Sequence, residues 1–447
     1  MSNVLKELRE SINSGEMPTY IYGYPSKRTY STIEENFDLV DFWSKTEGKT
    51  NLYIHIPFCN YKCSYCTLLM TSEQNDMLID NYISALIKQI EMYSNLASHL
   101  EVTSIYFGGG TPTILSEEQL QLIFKAIYEK FPKIGSDIEI SVEGSPETMT
   151  VEKLESLKKL GVNRVSMGIQ TLDPDELEKT GRRHSYLTSI RAMNNIKKVG
   201  FENFNIDLIY GLENQTRDKW EDTLRTILSF EPETISLYPI VFRPLSGIDK
   251  RKEIGEFIEN QEKYDIYDFN VDLLESEGYR QESLTRFTKF NKDSYAQEIY
   301  DFEGIPLIGL GAGARSYIKN FHYSTDYAVM NNNKMKIIQD FIDTSWNQLE
   351  GKLHGIFLEE EEEMRRYIIL NLLVNKLNNT KLKEKFDTSL MQDFNEEIEA
   401  LKAECCVTID EKENILLSRK GFKYSSIIGR LFYSDIMMSL EEAYVAK

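Results

Sequence analysis

Three cysteines lie close together in the stretch YIHIPFCNYKCSYC, at Cys59, Cys63 and Cys66. Their C-x3-C-x2-C spacing directly follows the apolar run 51–56, so the three thiolates share one loop after a predicted strand. Three thiolates ligate three irons of a four-iron cubane and leave the fourth iron open, whereas a cluster with four thiolates normally carries electrons only. The sequence therefore predicts a 4Fe-4S cluster with one iron available for chemistry.

Zinc is the alternative occupant of this loop, with His55 as a fourth ligand. Structural zinc sites usually pair their ligands in two separated knuckles, which a single loop does not provide. His55 lies among apolar neighbours on the predicted strand, and we interpret it as a hydrogen-bonded core residue. The other two cysteines, Cys405 and Cys406, are interpreted as small buried hydrophobic residues that alternate across a predicted strand.

A glycine-rich turn, YFGGGTPT at 106–113, ends the next predicted strand. Consecutive glycines let the backbone approach a ligand, and amides and carbonyls exposed there suit a zwitterion. Alone, the motif predicts only a tight turn, but its place one strand after the three cysteines favours a binding site. Glu143, Gln170 and Asp207 end or lie near the ends of further predicted strands. Since the C-terminal strand ends of a barrel form one face, we expect all these residues to converge there.

Six short apolar runs predict buried parallel strands, because they are rich in β-branched and aromatic residues and are bounded by turn-forming residues. They cover residues 51–56, 102–108, 137–143, 164–169, 203–210 and 234–240. Amphipathic helical patterns lie between them. Strict alternation of strand and helix predicts an α/β fold with a right-handed parallel sheet, as a barrel or a doubly wound fold.

The pattern changes after position 250. A long helix is predicted at 259–278, the glycine-rich IGLGAGARSY follows at 308–317, and helices with a small β element near 405–418 make up the end of the chain. We divide the chain into an N-terminal extension (1–49), a partial barrel (50–250), a barrel-completing segment (251–356) and a mainly helical, winged-helix-like C-terminal module (357–447).

Composition excludes some classes of function. The net charge of −20 argues against general nucleic-acid binding, because a polyanion would be repelled. No apolar run reaches the roughly 18 residues of a membrane-spanning helix, and the N-terminus lacks a signal-peptide run. Three of the five cysteines share one loop, which fits a metal in a reducing compartment better than a disulfide framework. We expect a cytoplasmic protein with a small-molecule substrate and without a membrane partner.

Six motifs follow one another over most of residues 50–320: YIHIPFCNYKCSYC, FGGGTPT, ISVEGSPETM, GVNRVSMGIQTLD, NIDLIYGLENQT and IGLGAGARS. In these stretches the chain resembles the radical S-adenosylmethionine (SAM) enzymes related to oxygen-independent coproporphyrinogen III oxidase. The resemblance implies an incomplete (β/α)6 TIM-like barrel and a 4Fe-4S cluster that cleaves SAM reductively to a 5′-deoxyadenosyl radical. It also implies a second SAM beside the first and a low-potential electron donor such as flavodoxin or ferredoxin.

The resemblance further implies roles for individual residues. Contacts of the cluster-bound SAM match Tyr53, Gly109 and Glu143. Contacts of the second SAM match a larger set, with the last two positions in looser alignment: Gly110, Thr111, Gln170, Arg182, Asp207, Ile240 and Arg315. Tyr65 lies between two of the cysteines and beside this second SAM, and with Asp207 it is the residue expected to act in catalysis.

Departures from the oxidase pattern bear on the reaction. The oxidase carries a further cysteine two residues beyond the third ligand, whereas this chain has TLLMT at 67–71. Three stretches resemble the methyltransferase or cyclopropanase branch and the haem-utilisation branch. They are this loop, the segment MPTYIYGYPSKRTY near the N-terminus, and GYRQESLTRF at 278–287. Our leading expectation is carbon-directed methyl or methylene transfer with two SAM molecules. The alternatives are oxidative decarboxylation of coproporphyrinogen III or other haem chemistry, and haem binding without catalysis.

Overall fold

We describe a computed structural model of the chain, which covers residues 3–33, 38–252, 255–290, 292, 295–327, 331–346 and 353–445. Thirteen strands in this part form one large sheet, and two more form a hairpin. The sheet strands are β1 Ser31–Thr32, β2 Lys49–Ile56, β3 Glu101–Gly109, β4 Ile134–Gly144, β5 Arg164–Gln170, β6 Asn203–Tyr210, β7 Thr234–Pro239, β8 Tyr279–Gln281, β9 Arg286–Lys289, β10 Leu307–Leu310, β11 Arg315–Ile318, β12 Phe321–Ser324 and β13 His354–Phe357. The hairpin strands are β14 Val407–Ile409 and β15 Ile415–Leu417.

Helices separate most of these strands. They are α1 Asn3–Asn13, α2 Leu39–Ser44, α3 Asp76–Ala97, α4 Glu117–Lys130, α5 Val151–Lys159, α6 Pro174–Lys179, α7 Tyr186–Val199, α8 Arg217–Leu228, α9 Asn260–Ser276, α10 Ala296–Phe302, α11 Asn331–Asp343, α12 Glu360–Leu372, α13 Asn379–Phe386, α14 Leu390–Asp393, α15 Asn395–Ala403, α16 Arg419–Lys423, α17 Ser425–Arg430 and α18 Asp435–Glu442. In the described part, no helix has the length and apolarity needed to cross a membrane.

The six predicted strands are confirmed as β2 to β7, which pair in parallel in chain order. A further parallel strand, β10, pairs with β2 on the other side, with Gly309 opposite Tyr53. The sheet runs β1-β13-β12-β11-β10-β2-β3-β4-β5-β6-β7-β9-β8 and its two edges do not pair. This arrangement confirms an α/β fold with an incomplete barrel, which β10 extends beyond the six predicted strands.

Capping residues fix where the barrel helices begin. Ser116 and Gln119 form a reciprocal capping box at the start of α4, and Thr150 and Thr216 accept backbone N–H groups at the starts of α5 and α8. Each cap immediately precedes an amphipathic helix that packs its apolar face on the sheet. The loops between strand ends and helix starts are therefore held at defined positions, and these loops carry the candidate site.

The C-terminal helices form a second hydrophobic core, distinct from the main core around the sheet. Leu8 and Tyr24 from the N-terminal extension belong to this second core, and the Tyr24 hydroxyl donates a hydrogen bond to Glu362 on α12. The two ends of the chain consequently pack together, a long-range contact that no local pattern in the sequence indicates.

One cysteine prediction is half wrong. Cys406 is fully buried, but Cys405 is exposed, and neither lies in a strand because β14 begins at Val407. Cys405 has a positive φ of 54° in the turn that ends α15, where the N–H groups of both cysteines bond to carbonyls of the helix's last turn. This turn exposes the Cys405 side chain instead of alternating it into the core.

Candidate functional site

The cysteine loop, residues 57–71, leaves the C-terminal end of β2 and is held by backbone hydrogen bonds. The Cys59 N–H donates to the Thr71 carbonyl at 3.0 Å, and the Ser64 N–H donates to the Thr180 carbonyl at 2.9 Å. Cys63 is buried, whereas Cys59 and Cys66 are half-buried, and all three are free thiols. The loop therefore presents three sulfur ligands from a fixed backbone.

The three thiols influence one another electrostatically. Burial raises the pKa of Cys59 to about 12 and also raises the pKa of Cys66, and the charge of Cys63 adds to both shifts. These thiols are therefore protonated at neutral pH, and a bound metal would supply the positive charge that holds each sulfur as thiolate. Three thiols at C-x3-C-x2-C spacing on one fixed loop fit an iron-sulfur cluster as the donor set.

His55 is confirmed as a core residue and is not available as a fourth ligand. It is 5% exposed, its Nδ1 hydrogen-bonds with the Tyr53 hydroxyl at 3.1 Å, and its Nε2 hydrogen-bonds with the Leu69 carbonyl at 2.8 Å. Burial lowers the pKa of His55 to about 4, so the ring is neutral. Among the described residues, no three His, Cys, Asp or Glu side chains are gathered as a preformed site for one metal ion.

The glycine-rich turn packs tightly against the cysteine loop. A Cβ on Gly110 would lie 2.5 Å from the Phe58 carbonyl oxygen, and a Cβ on Gly109, whose φ is 110°, would lie 2.5 Å from the His55 ring. The N–H groups of Gly110 and Thr111 donate to the Ile56 and Phe58 carbonyls at 2.8 Å. The expectation that these amides are exposed to a zwitterion is therefore wrong, because the protein itself pairs them.

Glu143, at the end of β4, binds the same turn. It accepts the Tyr106 hydroxyl at 2.6 Å and the Gly109 N–H at 3.2 Å. Burial raises the pKa of Glu143 to about 7, and the negative charge of Asp207 adds to the shift while these hydrogen bonds oppose it. This carboxyl group consequently titrates near neutral pH at the mouth of the barrel.

Asp207 lies on β6 in a polar network with neighbouring strands. Its Oδ1 accepts the Asn205 amide at 2.8 Å and its Oδ2 accepts the Ser166 hydroxyl at 3.3 Å, while Ser236 donates to Asn205 at 3.0 Å. Burial raises the pKa of Asp207, and the hydrogen bond from Asn205 opposes that shift. These contacts fix the carboxylate on the inner face of the barrel.

A cavity of about 1160 Å³ fills the mouth of the barrel. Many of the predicted site residues line it: Tyr53, Tyr65, Cys66, Glu143, Gln170, Asp207, Ile240 and Arg315. The others lie behind its wall, against the cysteine loop: Cys59, Cys63, Gly109, Gly110, Thr111 and Arg182. The structure therefore brings the predicted residues to one end of the barrel, in two layers.

Arg182 belongs to the layer behind the wall. Its Nη1 lies 3.6 Å from the Cys63 sulfur, its Nη2 donates to the Gly168 carbonyl, and its guanidinium lies over the Tyr61 ring with 5.7 Å to the ring centroid. The Nε is buried without a hydrogen-bond partner among the described residues. Two of the three guanidinium nitrogens thus contact the protein rather than the cavity.

The cavity is lined by residues of both charges, including Arg164, Arg286, Glu298, Asp301 and Asp326. Four further basic residues that motif analysis did not single out as a group also face it: Lys27, Arg28, Arg243 and Arg315. We call these four the cationic wall. Within the described residues none of the four forms an ion pair with a carboxylate. Burial and the charge of Arg315 lower the pKa of Lys27 well below its usual range, although the charge of Asp326 opposes them, and its ammonium donates to the Gly313 carbonyl. The three arginines are therefore the firm positive charges of the wall. In the sequence, MPTYIYGYPSKRTY was interpreted only by its resemblance to two branches of the family, and Arg315 only as a contact of the second SAM. Arg243 carried no interpretation.

The positive charges of the cationic wall act on the pKa of Tyr22. It is 54% exposed where it faces the cavity, and the Arg243 Nη1 donates to its hydroxyl at 3.5 Å. Burial by the surrounding protein raises its pKa, yet Arg243, Arg315 and Arg28 outweigh that effect and lower the pKa below its ordinary value. The cavity wall around Tyr22 is therefore a region of positive potential in a chain of net charge −20.

Comparisons with known proteins identify the family of the chain. The family model of the radical SAM superfamily matches residues 53–227. The heme chaperone HemW of Bacillus subtilis is 34% identical over 271 residues, which are 60% of this chain and 70% of that protein. The oxygen-independent coproporphyrinogen III oxidase of Escherichia coli is 28% identical over 427 residues, covering 90% of this chain and 91% of that protein.

The solved structure of coproporphyrinogen III oxidase (HemN) from Escherichia coli, described as a radical SAM enzyme, superposes with a TM-score of 0.78 at 25% identity. It covers 92% of this chain and 96% of that one. These relatives give no support to our leading expectation of methyl or methylene transfer with two SAM molecules. The 4Fe-4S cluster and SAM are the cofactors of this family, and the three free thiols on the cysteine loop fit that cluster. The chain belongs to the radical SAM superfamily, in the group that includes oxygen-independent coproporphyrinogen III oxidase and HemW.

Proposed function

We propose that this chain is a radical SAM enzyme whose substrate is a carboxylated tetrapyrrole. The observation that carries the proposal is the cationic wall, Lys27, Arg28, Arg243 and Arg315, which faces the same cavity as Cys66, Glu143 and Asp207. A substrate with several carboxylates requires cations at one side of the site and the reacting group at the other. The cavity provides both.

Charge supports this choice of substrate. A chain of net charge −20 repels an anionic substrate, so a local positive surface is needed to bind one. Three of the four cations are arginines, whose planar guanidinium groups bind carboxylates through two parallel hydrogen bonds. None of the three arginines forms an ion pair with a carboxylate of the described chain, so their charge is available to a ligand. Burial holds the pKa of Lys27 well below its usual range, so the proposal depends on the arginines.

Size and shape also support a macrocycle beside SAM. A cavity of about 1160 Å³ exceeds the roughly 300–1,000 Å³ of ordinary small-molecule sites. Tyr20, Tyr22 and Tyr238 line it, with ring centroids 5.9 Å apart for Tyr20 and Tyr22 and 5.5 Å apart for Tyr20 and Tyr238. These rings offer apolar faces to a flat or puckered tetrapyrrole.

The other side of the cavity is proposed to hold SAM. Cys59, Cys63 and Cys66 would ligate the cluster, while Tyr53 and Glu143 would contact the nucleoside. When bound, the cofactors supply a 5′-deoxyadenosyl radical that abstracts a hydrogen atom from the substrate, with a low-potential donor such as flavodoxin or ferredoxin as reductant. The residues of the chain orient the two ligands and exclude water from the space between them.

Methyl or methylene transfer with two SAM molecules is a second candidate, favoured by one observation. Tyr65, Gln170, Asp207 and Ile240, which match contacts of a second SAM, line the same cavity as Glu143. In that case the cavity volume would be shared by two SAM molecules and an unsaturated acceptor.

The deciding experiment is product analysis with anaerobic, cluster-reconstituted and reduced enzyme. With SAM, coproporphyrinogen III and an added one-electron acceptor, we expect 5′-deoxyadenosine together with carbon dioxide and a vinyl product. The acceptor takes the electron that the substrate radical releases when it loses carbon dioxide. The matched control is octaethylporphyrinogen, which keeps the macrocycle but lacks carboxylates and should neither react nor compete. Equal turnover of this analogue would contradict the role of the cationic wall.

The same experiment distinguishes the alternatives. S-adenosylhomocysteine released with 5′-deoxyadenosine would support methyl transfer instead. Stoichiometric binding of haem, with no 5′-deoxyadenosine formed from any porphyrinogen, would support the function that the name of the HemW relative indicates.

A further inference from the structure

Lys334 is a buried cation beside the cysteine loop that none of the functions above uses. It lies in the first half of α11 and is 0% exposed. Its ammonium nitrogen has no hydrogen-bond partner among the described residues. A lysine ammonium carries three donors, and burying it unpaired is strongly unfavourable unless a negative charge lies nearby.

The charges that reach Lys334 come from the cysteine loop. Burial lowers the pKa of Lys334 to about 8, so the ammonium is still mostly protonated at neutral pH. The charges of Cys66 and Cys59 oppose this shift, and the charge of Lys62 adds to it. In return, the charge of Lys334 acts on Cys66, with Cys63 opposing it. Lys334 therefore lies within electrostatic reach of two of the three proposed cluster ligands.

Contacts hold helix α11 beside the cysteine loop and beside β2, the strand that leads into it. Tyr327, shortly before the helix, donates a hydrogen bond from its hydroxyl to the Thr67 carbonyl. On the helix, Phe341 packs on Tyr82 with ring centroids 4.9 Å apart, and the Tyr82 hydroxyl donates to the His55 carbonyl at 2.8 Å. The position of the Lys334 backbone is thus set relative to the loop, so its side chain does not lie there by chance.

We propose that Lys334 is a positioning residue for the cluster, with its ammonium facing the Cys66 and Cys59 side and favouring the reduced state. Reduction adds one electron, supplied by the low-potential donor, and Lys334 forms and breaks no covalent bond. Because the added electron increases the negative charge on the thiolate-ligated cluster, a fixed cation nearby raises the reduction potential. The proposal depends on the cluster and not on the identity of the substrate.

The test is a redox titration of the reconstituted protein without substrate, followed by electron paramagnetic resonance of the reduced cluster. For Lys334→Met, we expect normal iron and sulfide content but an equilibrium for reduction about tenfold less favourable. For one electron, a tenfold change is a shift of about 59 mV to more negative potential. Lys334→Arg, which keeps the charge, should stay close to wild type.

Lys336 provides a matched control, because it is exposed and lies on the same helix only two residues away. Lys336→Met removes an equal positive charge, but one that is exposed to solvent, and should leave the reduction potential of the cluster unchanged. An unchanged potential in Lys334→Met with full cluster content would overturn the proposal.

If Lys334→Met fails to assemble the cluster, Lys334→Gln and Lys334→Arg decide the matter. A lower potential in the Gln variant than in the Arg variant supports the proposal, and equal potentials overturn it. A failure of the tetrapyrrole proposal leaves these potentials unaffected, so the two are tested separately.

Discussion

The guanidinium Nη1 of Arg182 lies 3.6 Å from the sulfur of Cys63, joining the loop after α6 to the cysteine loop. The same side chain donates to the Gly168 carbonyl at the end of β5 and covers the Tyr61 ring. Arg182 therefore holds three parts of the barrel mouth together. A donor to a thiolate ligand also stabilises the charged form of that ligand.

We predict that Arg182→Ala weakens cluster retention. The change removes a hydrogen bond to a charged group, with a cost of about 1.5–3 kcal/mol, and leaves the Gly168 carbonyl without that donor. Iron released to a chelator over time should increase about tenfold or more. Arg183→Ala is the control, because Arg183 is exposed and also lies over Tyr61. Equal iron loss in both variants would refute a specific role for Arg182.

The cysteine assignment predicts a clear division between two sets of variants. Replacement of Cys59, Cys63 or Cys66 by Ala should abolish the cluster and all SAM cleavage, because no described neighbour offers a replacement thiolate. Cys405→Ala and Cys406→Ala should leave iron and sulfide content unchanged. Full iron loading in any of the first three variants would contradict the assignment.

Glu143 predicts how SAM binding depends on pH. Because burial raises the pKa of this carboxyl group to about 7, it is mostly protonated below that pH and mostly ionised above it. Ribose hydroxyls need an acceptor, and the ionised carboxylate is the stronger one. SAM affinity should therefore rise as the pH increases from 6 to 8, by at most about tenfold per pH unit.

Glu143→Gln provides the matched comparison, because it is neutral at all these pH values and similar in shape. Calorimetric titration of the reconstituted variant should give weak SAM binding with no rise between pH 6 and pH 8. The same rise in wild type and variant would show that another group titrates.

A substitution of Asp207 tests whether the chain binds one SAM molecule or two. Asp207→Asn keeps the shape of the side chain but removes the charge and places an amide against the Asn205 and Ser166 donors. We expect unchanged iron content and a loss of substrate turnover, with a cost of about 1–3 kcal/mol for an unpaired buried group. Equilibrium dialysis gives the stoichiometry: two SAM per wild-type chain and one per variant support a second site. One SAM per wild-type chain would leave methyl transfer by this route without a basis.

Local patterns in the sequence were sufficient to predict β2 to β7 and the cysteine loop. Each strand is a short apolar run, and the ligands lie within eight consecutive residues. The contact between Gly109 and His55 was not predictable, because it depends on how closely two neighbouring strand ends approach. A branched residue at 109 would therefore disturb His55 packing first and is a poor probe of SAM binding.

Contacts over long sequence separations account for the other missed features. β10 pairs Leu307 with Asn51, 256 positions earlier, and the pairing has no signal beyond a short apolar run. Contacts with distant parts of the chain place the segment around Tyr22 and Lys27 at the cavity: Leu8 and Tyr24 pack into the C-terminal core, and Lys27 donates to the Gly313 carbonyl. Of the basic residues at 27, 28, 243 and 315, only Arg315 was matched to a site from the sequence, and the four face one cavity only when the fold brings them together.

Arg243 tests the cationic wall most directly, since its guanidinium contacts Tyr22 and lies at the cavity surface. Arg243→Met keeps much of the side-chain length but removes the charge, so affinity for coproporphyrinogen III should fall about tenfold, which corresponds to about 1.4 kcal/mol. The loss should shrink at high salt, because screening weakens the same attraction in wild type. Cluster content and SAM affinity should stay unchanged, since Arg243 is not matched to either cofactor.

Arg225→Met is the control. Arg225 lies on α8, is paired with Glu221 and is not part of the cavity wall, so the same charge is lost without effect on the site. Equal affinities for Arg243→Met and Arg225→Met, measured by fluorescence quenching under anaerobic conditions, would show that the wall does not bind substrate carboxylates.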